Sequence, residues 1–204
     1  YRTKYQSIEN FKKKGVQCYY ADFSSGEGIK LATKTLVSAL PALSGIIHNA
    51  SSWRDDGDND QYDELLIDMM RVHVSAPRQI TFALESALKK EKNPFVISIA
   101  DHVGTRGSAN HTAYAASKAA LINLSTSMAR RFAPRIRVNV ISPALLAFNR
   151  TDSENHKKST LNKSALKIEP GFDVAIDAVR YLENAIYSSG SVIPLDGGRP
   201  LLMP

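Results

Sequence analysis

Tyr114-Ala-Ala-Ser-Lys118 lies near the start of a run, His111 to Ala133, that holds neither Gly nor Pro and is rich in Ala, Leu, Ser and Met. That composition predicts a helix. Residues four apart share a helix face, so the Tyr114 phenol and the Lys118 ammonium look into the same space. A free tyrosine titrates near about 10, and a nearby cation favours its phenolate. The spacing therefore predicts a Tyr114 pKa drawn down toward neutrality and a general acid–base role. Taken alone, such a pair more often is a half-buried tyrosine beside a solvated lysine. Its surroundings decide between the two.

Upstream lie Ser44-Gly-Ile-Ile-His-Asn-Ala-Ser51 and Phe95-Val-Ile-Ser-Ile-Ala-Asp101, two apolar runs that each stop at polar residues. Downstream lie Ile136-Arg-Val-Asn-Val-Ile-Ser-Pro-Ala144 and Val192-Ile-Pro-Leu-Asp-Gly-Gly198. Counting the run at 16–21, the β-like segments fall at 16–21, 44–49, 95–100, 136–141 and about 191–195. They alternate with helical stretches near 4–14, 27–40, 62–91, 111–133 and 173–187. This alternation predicts an α/β fold, a doubly wound parallel sheet with helices on both faces. Pro77 is expected to bend or divide the helix at 62–91. The polar stretch 149–167 reads as a mobile loop with one short helix.

The 204 residues suit a single domain, 1–204. The net charge is +6, but the Lys and Arg are scattered among acids, and blocks such as Lys12–Lys14 fall at helix ends. Nucleic acid is therefore not expected as a partner; a modest bias toward anionic ligands such as a cofactor phosphate is. No apolar run approaches the roughly 20 residues that span a bilayer. The single Cys18 excludes an intrachain disulfide framework and, with no secretory pattern, implies a reducing cytoplasm. Cys18 sits in the expected strand at 16–21 as a packed thiol. No metal site is expected.

In order and spacing these segments resemble the short-chain dehydrogenase/reductase family, whose pattern reads Asn-Asn-Ala-Gly, Ser, Tyr-x3-Lys, Pro-Gly and Asp-Gly-Gly. The resemblance covers nearly the whole chain and implies a Rossmann-like sheet. It also implies that the first strand–helix unit, its Gly-rich phosphate loop and most of the second strand, about 35 residues, would precede Tyr1.

Departures from the family pattern narrow the chemistry. Asp101 stands where the family usually carries the serine that hydrogen-bonds a substrate carbonyl. An ionised carboxylate there repels a developing alkoxide and favours a substrate that presents N–H donors or gains a proton on nitrogen. Ser51 replaces the usual Gly, and Trp53, the only tryptophan, follows it in a polar loop where an indole can stack on a flat heteroaromatic ring. Asp101 together with Asn-Ala-Ser-Ser-aromatic resembles the pteridine reductase branch, which implies NADPH-dependent reduction of a dihydropterin. By that resemblance Tyr114 is the acid/base, Lys118 tunes it and holds the nicotinamide ribose, and Asp101 orients the pterin or relays its proton. Ser51, Trp53, Asp101, Tyr114 and Leu145 line the substrate pocket. Arg2 and Thr3 receive a ribose 2′-phosphate, Asp22 contacts the adenine, and Asn49, Ala50, Ser51 and Pro143 border the cofactor. Two substitutions stand out: His73 at the helix position that is usually Asn, and Pro143-Ala144 for Pro-Gly. A homotetramer through the helices near 62–91 and 111–133 is implied likewise. The alternatives are a carbonyl reductase of the same family and a catalytically silent binding or scaffold protein.

Overall fold

A parallel strand cannot be joined to its neighbour by a tight turn, so each pairing in this sheet is bought by a helical crossover. The computed structural model describes residues 6–57 and 62–202. Its strands are β1 (Gly45–His48), β2 (Phe95–Ile99), β3 (Arg137–Pro143) and β4 (Val192–Leu195). They lie in the order β1-β2-β3-β4, all parallel. Ile47 is opposite Ile97, Ile97 opposite Asn139, and Val140 opposite Val192.

The two-residue period of a strand sends alternate side chains to opposite faces. Val96 and Val138 face one layer, where they meet Leu88, Met128 and Phe132. Phe95, Ile97 and Ile141 face the other, against Ala178 and Leu182. The first layer holds α7 (Thr112–Phe132), and the second holds α9 (Asp173–Asn184). Ser98 is a polar exception on the α7 side, and it is satisfied there: Ser125 Oγ donates to Ser98 Oγ at 2.9 Å. The doubly wound expectation stands, with both faces covered.

Ahead of β1 run α1 (Gln6–Lys13) and α2 (Gly26–Ala39). Helix α2 begins at Ser25, whose Oγ accepts from Gly28 N at 3.0 Å. Gly28 must lack a side chain, because a Cβ there would strike the Asp22 carbonyl. Ile29 of α2 packs with Ala76, Ile80 and Leu84, which ties α2 to the sheet through an intervening helix.

One expectation fails here. The run at 16–21 forms no strand, and Val16 and Tyr20 are about half exposed. An apolar run becomes a strand only when a neighbour takes up its backbone hydrogen bonds, and β1 has its ladder with β2 alone among the described residues. Cys18 therefore sits half-buried outside the sheet, with its thiol directed at the Val16 carbonyl.

The helical stretch 62–91 is divided, as Pro77 requires. It breaks into α3 (Tyr62–Met70), a π-helical turn (Arg71–Ser75), α4 (Ala76–Ala83) and the short α5 (Glu85–Leu88). The Ala76 N–H bonds back five residues to the Arg71 carbonyl, and Pro77 has no N–H with which to restore the ordinary ladder. A further short helix, α6 (Val103–Arg106), follows β2, and α8 (Glu154–Leu161) is the single helix of the 149–167 stretch. Among the described residues no helix is long and apolar enough to cross a membrane.

Arg137 locks the far layer to the sheet. Its guanidinium donates to the carbonyls of Leu182 (2.7 Å), Ala185 (3.0 Å) and Glu183 (2.8 Å) at the carboxyl end of α9, where intrahelical donors run out. Arg137→Ala should cost roughly 2–3 kcal/mol, the scale of charged hydrogen bonds to stranded carbonyls. The check is the urea midpoint of parent and variant, which should differ clearly while activity per folded molecule persists.

Candidate active site

The carboxyl ends of β1, β2 and β3 open on one side of the sheet, where an open α/β fold places its ligands. Asn49, Ala50 and Ser51 follow β1, Asp101 follows β2, and Pro143 ends β3. Helix α7 lays Tyr114 and Lys118 against this edge in its first two turns, and both are almost fully buried. The expected trio of Tyr114, Lys118 and Asp101 is thus assembled.

Its electrostatics differ from the expectation. The Tyr114 hydroxyl donates to Asp101 Oδ2 at 2.9 Å, while Asp101 Oδ1 accepts from Val103 N at 2.9 Å. Burial, and then the Asp101 charge and hydrogen bond, push the Tyr114 pKa up rather than down; only the Ser51 hydroxyl pulls it lower. Lys118 does not offset this, because its ammonium donates to the Ile99 carbonyl at 3.0 Å and sits 5.5 Å from the centre of the Tyr114 ring. Burial in turn lowers Lys118 to about 8, against the pull of Asp101. Tyr114 therefore holds its proton in this arrangement.

His73 enters through the π-helical turn, a distortion often found at functional sites. Its tautomer follows from its neighbours. Ser117 Oγ spends its one proton on the Tyr114 carbonyl at 2.7 Å, so it can only accept from His73 Nδ1 at 2.8 Å. Nε2 is then the unprotonated nitrogen, which accepts from Ser51 Oγ (2.9 Å) and Ser52 N (3.3 Å). Burial, helped by the Lys118 charge, holds the His73 pKa down to about 3. The imidazole also stands edge-on to the Tyr114 ring, with centroids 5.5 Å apart. The sequence flags this histidine only by its spacing before Pro77; its wiring to Ser51 needs the fold.

Trp53 is 66% exposed, consistent with a role outside the core. Its indole stacks on His111, centroids 4.4 Å apart and planes inclined by 29°. Asp56 accepts from Thr112 N at 2.7 Å and Ala113 N at 3.3 Å, capping α7 from another part of the chain. Sequence reading misses both Asp56 and His111. His111 lies one helical turn before Tyr114, which is a usable signal, but nothing local to Asp56 points to a helix start more than fifty residues away.

The remaining expected residues are more scattered. Asp22 closes its own turn by accepting from Ser24 N at 3.0 Å, just ahead of α2. Leu145 lines a cavity of about 360 Å³ with Leu166, Pro194 and Asp196, beyond the end of β4. Asp196 also faces His102 Nδ1 at 3.6 Å. Arg2 and Thr3 lie outside the described residues. Among the described residues no group of three or more His, Cys, Asp or Glu is placed to hold a metal ion.

The short chain dehydrogenase family model matches residues 2–159. A dihydromonapterin reductase of Enterobacter sp. (strain 638) is 43% identical over 203 residues, covering 98% of this chain and 85% of that protein. The dihydromonapterin reductase of Klebsiella pneumoniae subsp. pneumoniae is 41% identical over the same shares. Among solved structures, the alternative dihydrofolate reductase 1 from Brucella canis complexed with NADP superimposes with a TM-score of 0.82 at 24% identity, over 96% of this chain and 78% of that one. L-Sorbose reductase from Gluconobacter frateurii, complexed with NADPH and L-sorbose, gives 0.83 at 21% identity, over 96% and 82%. These two likenesses establish the fold alone.

Two neutral histidines, buried His73 and half-buried His48, make the fold acid-sensitive. His48, whose Nε2 lies 2.7 Å from Thr81 Oγ1, is lowered by burial to about 4, and His73 to about 3. Both folded-state values lie below the unfolded value of 6.5, so protons bind the unfolded chain first as pH falls. Their stability is complete above pH 6.5 and is lost as pH drops toward 4 and then 3. Between pH 7 and pH 5 each imidazole should withdraw about 2 kcal/mol. Urea midpoints at the two pH values should show the fall, with a shallower slope in His73→Gln.

Proposed function

The chain belongs to the short-chain dehydrogenase family, and from that membership we propose that it is an NADPH-dependent reductase of dihydropterins, converting 7,8-dihydromonapterin to tetrahydromonapterin, with dihydrofolate as a further substrate. The observation that carries the substrate class is the bond from the Tyr114 hydroxyl to Asp101 Oδ2. A carboxylate at this point opposes an alkoxide and suits a ring nitrogen that must gain a proton.

The donor set fits a nicotinamide cofactor. Lys118 has three N–H donors and one protein acceptor, Ile99 O, among the described residues, leaving capacity for ribose hydroxyls. Asn49, Ala50, Ser51 and Pro143, at the carboxyl ends of β1 and β3, are assigned to the cofactor crevice, Asp22 to the adenine, and Arg2 with Thr3 to the 2′-phosphate. When bound, NADPH supplies the hydride that reduces the carbon of the ring C=N bond.

The chain's own residues supply the proton. Tyr114, kept protonated by burial and Asp101, donates from its hydroxyl to the ring nitrogen. The phenolate left behind is met by Ser51, whose single hydroxyl proton can turn from His73 Nε2 toward the tyrosine oxygen. Ser52 N–H keeps His73 Nε2 in partnership meanwhile. Asp101 then orients the substrate's N–H groups. Trp53 and Leu145 are the apolar contacts assigned to the substrate. A cytoplasmic homotetramer completes the reading, supported by the exposed apolar side chains Leu66 and Ile67 on α3.

Purified enzyme should oxidise NADPH faster with dihydromonapterin than with a panel of small ketones; the reverse order would sink the pterin assignment. Tyr114→Phe should lower kcat by about 10²- to 10⁴-fold, the usual scale for lost acid–base help, with pterin and cofactor binding retained. Asp101→Ser should move the kcat/KM ratio toward ketones even where absolute rates fall.

A further inference from the structure

Helix α7 starts without help from its own N-cap residue. His111 occupies that position and makes no side-chain capping bond. The free N–H groups at the helix start are taken instead by Asp56, through Oδ2 to Thr112 N and Oδ1 to Ala113 N. Negative charge at a helix N-terminus is favourable, and these bonds are charge-assisted. The same residue's backbone N–H donates to the Asn110 carbonyl at 2.9 Å, so Asp56 is held to α7's entry by main chain and side chain alike.

Three residues before Asp56 stands Trp53, stacked on His111. His111 Nδ1 lies 3.3 Å from Ser108 Oγ, but its Nε2 is buried and has no hydrogen-bond partner among the described residues. Covering a polar nitrogen in this way is unfavourable by itself. The stack therefore needs an opposing contribution, and the Asp56 bonds next to it provide one. Two ends of a four-residue segment, Trp53 to Asp56, are thus pinned to the segment that leads into Tyr114.

We propose that Asp56 is a positioning residue of the substrate pocket: by capping α7 from across the chain it clamps the Trp53 loop onto His111 and fixes the indole plane relative to Tyr114. The clamp couples the two features that a flat heteroaromatic substrate must meet at once, an aromatic plate and a proton donor. Without it, Trp53 keeps its chemistry but loses its registration with the acid, and misregistration weakens productive binding far more than it alters the groups themselves. This inference rests on the assignment of Trp53 to the dihydropterin pocket.

Trp53 is the chain's only tryptophan, so its fluorescence reports the clamp directly. The full chain is compared with Asp56→Ala, with the isosteric Asp56→Asn, and with His111→Leu, in which the Asp56 cap remains. Without cofactor, Asp56→Ala and His111→Leu should both change Trp53 emission and raise its quenching by acrylamide, and Asp56→Asn should fall between parent and Asp56→Ala. In turnover, Asp56→Ala should raise KM for dihydromonapterin about five- to tenfold, with kcat and the NADPH KM within about twofold of parent. Parent-like emission in Asp56→Ala would overturn the clamp. So would a joint loss of kcat and NADPH affinity that tracks thermal melting, since that is the signature of a cap serving helix stability alone. If the parent enzyme fails to turn over dihydromonapterin, the functional reading falls, and the emission measurements still decide the clamp.

Discussion

Packing of α7 across β2 and β3 is the constraint from which the rest of this molecule follows. Met128, Ala129 and Phe132 bury against Val96 and Val138, and Leu121 against Val140 and Ala100. That apolar seam fixes the helix along the sheet, and its amino-terminal turns then have one place to go, over the carboxyl ends of the strands. Tyr114 meets Asp101 there, and Lys118 meets the Ile99 carbonyl. The geometry of the candidate site is a by-product of core burial.

The proton state of Tyr114 is a contest that the carboxylate wins. A lysine one turn away on the same helix face might be expected to dominate, since opposite charge stabilises the phenolate. The Lys118 ammonium, however, directs an N–H at a backbone carbonyl, and it lies over the ring rather than at the oxygen. Asp101 touches the oxygen itself, and burial works in the same direction. Distance and desolvation together outweigh the sequence spacing. The consequence is a Tyr114 that stays protonated at the oxygen facing Asp101.

His73 shows how a backbone defect shapes the candidate site. Pro77 removes an N–H from the ladder, the preceding turn widens, and the imidazole reaches Ser51, Ser52 and Ser117 from inside it. Each neighbour constrains the next, so a single tautomer satisfies the whole chain of bonds. The histidine stays neutral throughout the working pH range and leaves Ser51 as the one hydroxyl able to answer a charge on Tyr114.

The order of elements, the parallel α/β class and the residues at the strand ends were all readable in the linear chain. Helix and strand periods are local properties, and Tyr114 and Lys118 announce themselves by spacing within a run whose ends composition marks, whereas Asp101 is picked out by the place that the family resemblance gives it. The division of the 62–91 helix was legible for the same reason, because proline acts on its own turn. What tertiary structure alone decided depends on partners far away along the chain. The run at 16–21 reads as a strand but lacks a ladder, since a strand exists only by pairing. The direction of the Tyr114 shift, the His73 tautomer and the Asp56 cap on α7 all arise between segments that meet only once the sheet has formed. Charge, burial and hydrogen bonding are properties of a place in space, and a sequence specifies that place only through the fold.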